Sequence, residues 1–184
     1  IRVNRPSLMI YGGSISPGNY KGNKVDVVSA FQSYGEYLNN KITDTERTQL
    51  LQKCCPGSGS CGGMYTANTM ASAIEAMGMM LPNSASNTAQ SPEKIYEATE
   101  QTSHAIYNLL KNNILPSDII TKKSIENAIT TMIALGGSTN GVLHLLAIAN
   151  TANIPLEIED FNIIGAKVPL IANLKPSGDY VMND

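Results

Sequence analysis

A glycine-rich loop that carries one cysteine constrains this chain more than any other stretch does. The loop spans residues 56–63 and reads Pro-Gly-Ser-Gly-Ser-Cys-Gly-Gly, with its thiol at Cys61. Glycine tolerates positive φ angles and places no side chain between the backbone and an approaching group. A hydrophobic core does not need such a loop, so we infer that another group comes close to the sulfur of Cys61.

The residues after this loop predict a helix that begins near Cys61 or Gly62 and ends at Pro82. A thiolate at the start of a helix lies at the positive end of the helix dipole, so we expect the pKa of Cys61 to be lowered. The apolar face of this helix is predicted to consist of Met64, Ala67, Met70, Ala71, Ile74 and Met77. We expect the methionines here and at positions 79 and 80 to pack in the core rather than to bind a metal.

Several kinds of site use a loop of this composition. A sulfur-ligated metal cluster needs a thiolate, free space and N–H donors near the sulfur. A nucleophilic cysteine needs the same loop and a base, for which His104 and His144 are the available histidines. The loop lacks the Gly-Lys-Ser/Thr ending of a P-loop, which disfavours a nucleoside triphosphate site. A buried structural cysteine is the remaining alternative.

The rest of the pattern predicts a helix-rich α/β fold. The apolar run at residues 7–13 indicates a buried strand that ends in two glycines. Capping patterns mark helix starts at Thr43, Ser91 and Thr121, and a second glycine pair at residues 136–137 leads into an apolar helix. We expect a three-layer α/β/α arrangement with a small parallel or mixed sheet, whose ligands bind at loops beyond the strand ends.

Charge and composition argue against two classes of partner. The formal net charge is −2 and there is no basic block, so nucleic-acid binding has no electrostatic support. No apolar run approaches the roughly 20 residues that span a bilayer, so we expect no membrane partner. An odd number of cysteines, with Cys54 and Cys55 adjacent, is not a disulfide framework and favours a reducing compartment.

Two groups of polar residues near the glycine loops have two interpretations each. Ser138, Thr139 and Asn140 either line a ligand pocket or cap the helix that follows them. Asn68 and Thr69 either orient the cysteine loop or pack against the sheet. Capping is the common role of such residues, so we favour it for Ser138, Thr139 and Asn140, whereas both roles stay open for Asn68 and Thr69.

Three further residues are expected to be structural. His144 lies among leucines on an apolar helix, so we predict a buried histidine with satisfied hydrogen bonds. Cys54 and Cys55 are predicted to pack at a helix end and not to ligate a metal, because free cysteines are commonly buried.

Several stretches of the chain together carry a family resemblance. In order, they read PSLMIYGGSISPG, VVSAF, CCPGSGSCGGMYTANTMAS, ILPSDIITKKSIENAI, GGSTNGVLHLLAIANTA and VPLIANLKPSGDYVMND. Their order and spacing resemble the dihydroxy-acid/6-phosphogluconate dehydratase family, which also contains sugar-acid dehydratases. The forms CGGMYTANTM and GGSTNGVLHL resemble the branched-chain dihydroxy-acid enzymes more than the sugar-acid branch.

The resemblance implies an iron–sulfur cluster, commonly [2Fe–2S] with [4Fe–4S] as the alternative, and Cys61 as a ligand to its iron. Cys61 matches the last of three cluster cysteines in the family. The other two, with a Cys-Asp-Lys motif that helps to bind Mg²⁺, are expected upstream of Ile1. A glutamate ligand and a serine base are expected downstream of Asp184. Residues 1–184 would then be an internal fragment of the N-terminal iron–sulfur domain, without a C-terminal domain or catalytic residues of its own, and inactive alone.

The implied activity is that of a hydro-lyase in valine and isoleucine biosynthesis. It would dehydrate acids of the 2,3-dihydroxy-3-methylbutanoate type to 2-oxo acids, with a small-molecule dihydroxy acid as partner. Alternatives are a sugar-acid dehydratase, a non-catalytic α/β binding module, and a thiol enzyme that uses Cys61. The resemblance also implies a homodimer, in the cytoplasm or in a mitochondrion or plastid.

Overall fold

Helices dominate the structure, a computed structural model that describes residues 1–184. The helices are α1 (Val27–Leu38), α2 (Asp44–Cys54), α3 (Thr66–Ala76), α4 (Pro92–Tyr96), α5 (Thr102–Lys111), α6 (Pro116–Ile119), α7 (Lys122–Ala134), α8 (Asn140–Thr151) and α9 (Ile158–Gly165). A π-helical segment, Glu97–Gln101, joins α4 to α5. None of the helices is both long enough and apolar enough to cross a bilayer.

Side-chain caps fix the predicted helix starts. The Thr43 hydroxyl accepts from the N–H of Glu46, and the Glu46 carboxylate accepts from the N–H of Thr43. Ser91 and Thr121 each accept from the N–H three residues further on. Caps of this kind contribute about 1 kcal/mol each. These helix starts confirm the sequence prediction.

The hydrophobic core lies between α3, α7, α8 and α9. Helix α3 packs along α7, and both contact α8. The buried core residues are Ala73, Met77, Met79, Ile120, Ile125, Ala128, Ile129, Met132, Leu145, Ala149 and Phe161. Met64 and Met80 are also buried, and Met70 packs against this core. The predicted role of the methionines in packing is therefore confirmed.

The sheet differs from the prediction, although the helix-rich α/β class is consistent with the structure. Strands β1 (Gly18–Tyr20) and β2 (Asn23–Val25) form a two-stranded antiparallel hairpin, whereas the sequence predicts a parallel or mixed sheet. Lys21 and Gly22 form the turn, and both have positive φ angles, as tight hairpin turns require. The hairpin packs against α1 and α2.

The apolar run at residues 7–13 does not form the predicted buried strand. Within it only Met9 pairs, through a single parallel bridge to Met80. Met9 is 49% exposed and Ile10 is 45% exposed, so the run is not buried on both faces. Gly13 has a φ of +89°, which turns the chain out of extended geometry and prevents a longer ladder.

Candidate functional site

Cys61 lies in an irregular loop that precedes α3, not at the helix start. Helix α3 begins at Thr66, with Tyr65 at the N-cap position. The predicted start near Cys61 or Gly62 is therefore wrong, and so is the predicted end at Pro82, because α3 ends at Ala76. The loop cannot continue the helix backwards because its carbonyl groups are hydrogen-bonded to other segments of the chain.

Two backbone segments outside the loop donate hydrogen bonds to its carbonyl groups. The N–H of Ile15 donates to the carbonyl of Ser60 at 2.7 Å, and the N–H of Met182 donates to the carbonyl of Gly62 at 2.7 Å. The loop thus lies between residues near the start of the chain and residues near its end. Pattern analysis of the sequence could not predict this arrangement, because the three segments lie far apart in the sequence.

The Asn68 side chain holds the two remaining carbonyls. Its amide nitrogen donates to the carbonyls of Cys61 and Gly63, each at 2.7 Å. Asn68 is only 1% exposed. Of the two roles that the sequence left open for this residue, contact with the cysteine loop is the one that the structure shows.

The N–H groups of Cys61, Gly62 and Gly63 each point away from the group that binds the carbonyl of the preceding residue. In a trans peptide the carbonyl and the following N–H point in opposite directions. The N–H groups of Cys61 and Gly62 donate to no acceptor in the chain, and the N–H of Gly63 donates to the Cys61 sulfur. Backbone N–H groups without an acceptor in the chain are available to donate to a thiolate or another anion.

Burial raises the pKa of the Cys61 thiol above its ordinary value. The hydrogen bond from the N–H of Gly63 opposes this rise, and the nearby Cys55 and Asp26 add to it. The sequence prediction of a lowered pKa is therefore wrong, because it relied on a helix start at Cys61. A thiol with a raised pKa is a weak nucleophile at neutral pH, but a metal ion can still displace its proton.

Gly59 shows why the loop needs glycine. Its φ is +130°, and a Cβ atom at this position would lie 2.5 Å from the nitrogen of Ile15 and 2.6 Å from the carbonyl carbon of Ser14. Ser14 and Ser60 also form a parallel bridge. The loop therefore packs against residues 14–15 backbone to backbone, which leaves no room for a side chain.

The second glycine loop docks on the first turns of α3. The N–H of Ser138 donates to the Thr69 hydroxyl at 2.9 Å, and the Asn140 amide donates to the Thr66 hydroxyl at 2.8 Å. The Ser138 hydroxyl accepts from the N–H of Asn140, whereas the Thr139 side chain makes no cap hydrogen bond. The helix that follows Cys61 thus also positions Ser138 and Asn140.

A cleft of about 410 Å³ adjoins this second loop. Ser138 and Thr139 line it together with Phe161 from α9, and Cys61 is not among its lining residues. Thr139 and Asn140 are exposed. A role of these residues in substrate binding stays a prediction.

The histidines do not complete a thiol-based catalytic site. His104 and His144 are both exposed, and neither hydrogen-bonds to Cys61. The predicted burial of His144 is therefore wrong, because α8 turns this residue outward, beside a cleft with Met70 and Ile74. Nothing in this geometry supports a thiol enzyme.

The other cysteines leave Cys61 as the candidate ligand. Cys54, the last residue of α2, is 2% exposed, which confirms its predicted packing at the helix end. The same prediction is wrong for Cys55, which follows the helix and is exposed. No group of three or more His, Cys, Asp or Glu side chains is arranged to hold a metal ion. This chain by itself offers one thiolate and N–H donors, not a complete metal centre.

Sequence analysis missed Tyr11, whose hydroxyl contacts Asn68 and Ser60. It also missed Asp26 and Lys175, which form an ion pair near the loop. Asp26 was detectable in part, because an aspartate three residues before Ser29 and directly before an apolar helix is an N-cap signal.

Comparison with known proteins agrees with the family resemblance of the sequence motifs. The chain matches the family profile described as dihydroxy-acid/6-phosphogluconate dehydratase N-terminal over residues 1–184. A dihydroxy-acid dehydratase of Trichodesmium erythraeum is 54% identical over 180 residues, which are 98% of this chain and 32% of the relative.

Two eukaryotic relatives are similar to the same extent. A mitochondrial dihydroxy-acid dehydratase of Penicillium brasilianum is 52% identical over 184 residues, which are 100% of this chain and 31% of the relative. A chloroplastic dihydroxy-acid dehydratase of Arabidopsis thaliana is 53% identical over 183 residues, or 100% and 30%. The chain spans about a third of the length of the curated relatives it matches.

Proposed function

Because this chain belongs to the dihydroxy-acid/6-phosphogluconate dehydratase family, we propose that it is part of a hydro-lyase that converts a 2,3-dihydroxy acid to a 2-oxo acid. Relatives of 52–54% identity are named dihydroxy-acid dehydratases. This favours branched-chain substrates of the 2,3-dihydroxy-3-methylbutanoate type, in valine and isoleucine biosynthesis, over sugar acids. The family implies a metal or iron–sulfur cofactor.

The arrangement around Cys61 is the observation that carries this proposal. A cluster ligand needs a thiolate with N–H donors beside it. The carbonyls of residues 60–63 are bound by other groups of the chain, whereas the N–H groups of Cys61 and Gly62 are free and that of Gly63 donates to the sulfur. From the free N–H groups of Cys61 and Gly62 and the N–H of Gly63 that donates to the sulfur, we infer that Cys61 supplies one ligand to a [2Fe–2S] or [4Fe–4S] cluster. The other ligands, the Mg²⁺ site, the base and the C-terminal domain would come from parts of a longer protein outside residues 1–184.

When bound, the cluster supplies a Lewis acid for the departing hydroxide, and Mg²⁺ supplies a cation for the substrate carboxylate. The residues of this chain bind the cofactor and limit the access of water to it. Cys61 releases its proton when a metal binds, and its half-buried position limits the access of water to the sulfur. Ser138, Thr139 and Asn140 present hydroxyl and amide groups that can donate to the oxygens of a dihydroxy acid.

Matched cysteine substitutions in the full-length protein test this proposal. Cys61→Ser is expected to remove the visible absorbance of the cluster and to lower activity on 2,3-dihydroxy-3-methylbutanoate by at least about 100-fold. Cys55→Ser changes an exposed thiol in the same region and is expected to keep both. Retained cluster absorbance and activity in Cys61→Ser would overturn the proposal.

Measurements on the same full-length protein also distinguish the alternative functions. Faster turnover of an aldonate or 6-phosphogluconate than of the branched-chain acid would indicate the sugar-acid branch. An iron-free wild-type protein whose melting temperature is unchanged by Cys61→Ser would indicate a binding module.

For the whole protein we further propose a homodimer, in the cytoplasm or, in a eukaryote, in a mitochondrion or plastid.

A further inference from the structure

Asn68 uses every polar atom of its side chain to hold the Cys61 loop. Its amide nitrogen donates to two loop carbonyls, and its oxygen accepts from the Tyr11 hydroxyl at 2.5 Å. Asparagine is a poor residue within a helix because its amide competes for backbone groups. In α3 that amide is instead committed to carbonyls outside the helix.

These hydrogen bonds fix two peptide units of a flexible segment. When the Cys61 carbonyl points to Asn68, the N–H of Gly62 in the same peptide must point to the opposite side. When the Gly63 carbonyl points to Asn68, the N–H of Met64 points away, and it donates to the Lys175 carbonyl at 2.6 Å. A glycine-rich loop has many accessible conformations, so a side chain that fixes two of its peptides selects one of them.

Tyr11 fixes the orientation of the Asn68 amide. Its hydroxyl contacts both the Asn68 oxygen and the Ser60 hydroxyl. Its ring centroid lies 5.8 Å from Nζ of Lys94, which forms a buried ion pair with Glu97 at 2.7 Å. Because the Asn68 oxygen is bound to Tyr11, the amide nitrogen is directed to the loop carbonyls.

We propose that Asn68, oriented by Tyr11, is a positioning residue for Cys61 as a cluster ligand. It keeps the N–H of Gly62 on the side of the loop away from the carbonyl anchors, where it can donate to a sulfur. This inference rests on the proposed function, because the ligand is the iron–sulfur cluster. Hydrogen bonds to the sulfurs help to set the reduction potential of a cluster and to retain it.

Three variants of the full-length protein test this role. Asn68→Ala removes the contacts to the loop, Tyr11→Phe removes only the hydroxyl that orients Asn68, and Asn127→Ala changes an exposed helical asparagine as a control. We expect Asn68→Ala to release iron to a chelator about 10- to 100-fold faster than wild type. Tyr11→Phe should show a smaller effect and Asn127→Ala none, and the midpoint potential of the cluster should become more negative in the same order.

The cluster potential separates positioning from a merely structural role. An unchanged potential in Asn68→Ala and Tyr11→Phe, with only the melting temperature lowered, would overturn the inference. If Asn68→Ala does not fold, Tyr11→Phe decides by the same two measurements.

A protein that binds no iron would contradict the proposed function, but the positioning role is testable without iron. Hydrogen–deuterium exchange in a peptide that covers residues 57–65 then decides it. Faster exchange in Asn68→Ala and Tyr11→Phe than in Asn127→Ala supports the positioning role, and equal exchange overturns it.

Discussion

Lys175 Nζ lies 2.6 Å from Asp26 Oδ2, and this ion pair joins residues 149 positions apart in the sequence. Asp26 also caps α1, because its Oδ1 accepts from the N–H groups of Val28 and Ser29. The main-chain carbonyl of Lys175 accepts from the N–H of Met64, directly after the Cys61 loop. The pair therefore connects the start of α1, the loop and the segment near residue 175.

Asp26→Asn is expected to lower the free energy of unfolding at pH 7 by about 1.5–3 kcal/mol, because hydrogen bonds to charged groups contribute this much. Asparagine can still cap α1, so the loss reports the charge and its contact with Lys175. Urea unfolding of wild type and variant measures the difference. Equal unfolding midpoints at pH 7 would contradict the prediction.

We also expect the stabilisation that Asp26 provides to depend on pH, and the same variant tests this. Burial acts to raise the pKa of Asp26, but hydrogen bonds from Lys175, Ser29 and Val28 outweigh it and hold that pKa below its ordinary value of 3.8. The stabilisation is therefore fully present above pH 3.8 and is lost as the pH falls through the lower folded-state pKa. The difference in unfolding free energy between wild type and Asp26→Asn should shrink in that range. A constant difference down to pH 2 would contradict this assignment.

Local features of the fold were predictable from the sequence because their causes are local. Thr43, Ser91 and Thr121 cap helices through residues three positions away. Cys61 stood out because four glycines flank it within residues 56–63. Such signals need no knowledge of what packs against them.

Contacts between distant segments were not predictable in this way. Neither the Tyr11 to Asn68 hydrogen bond nor the Lys175 to Asp26 ion pair leaves a periodic pattern. The predictions of a buried strand at residues 7–13 and of a buried His144 were wrong for a related reason. Periodicity shows that residues are apolar, not which of them another segment covers, so exposure depends on tertiary packing.

The buried ion pair of Lys94 and Glu97 is predicted to be sensitive to the loss of one partner. Their side chains are 5% and 4% exposed, and Nζ lies 2.7 Å from Oε2. Lys94→Met is expected to destabilise the protein by about 3–5 kcal/mol, because it leaves the Glu97 charge buried and unpaired. Urea unfolding measures the loss.

A second substitution and an exposed pair supply the controls. Lys94→Met with Glu97→Leu should cost less than the sum of the single variants, because no uncompensated charge remains. Lys21→Met breaks an exposed pair with Glu46 and should change stability little. Additive losses in the double variant would show that the two side chains do not act as a pair.

Alkylation is expected to modify the three cysteines of the metal-free protein in a fixed order. Cys55 is exposed and should react first, and Cys54, only 2% exposed, should react last. Cys61 should react at least about tenfold more slowly than Cys55 at pH 7.5, because it is half-buried and burial raises its pKa. Mass spectrometry of timed iodoacetamide reactions gives the rates, and the reaction in denaturant is the control. Faster modification of Cys61 than of Cys55 would instead indicate an activated nucleophile.

Gly59→Ala is predicted to displace the Cys61 loop, and Gly22→Ala is its matched control. Both glycines have positive φ, +130° and +84°, but a Cβ atom would meet backbone atoms of Ser14 and Ile15 only at position 59. Gly22→Ala should cost about 1 kcal/mol from backbone strain alone. Gly59→Ala adds overpacking of about 1–3 kcal/mol, and because the clash is with backbone, no side-chain rotation relieves it. We therefore expect the full-length Gly59→Ala protein to lose cluster absorbance while Gly22→Ala retains it. Equal absorbance and equal unfolding free energies in the two variants would show that residues 14–15 do not hold the loop.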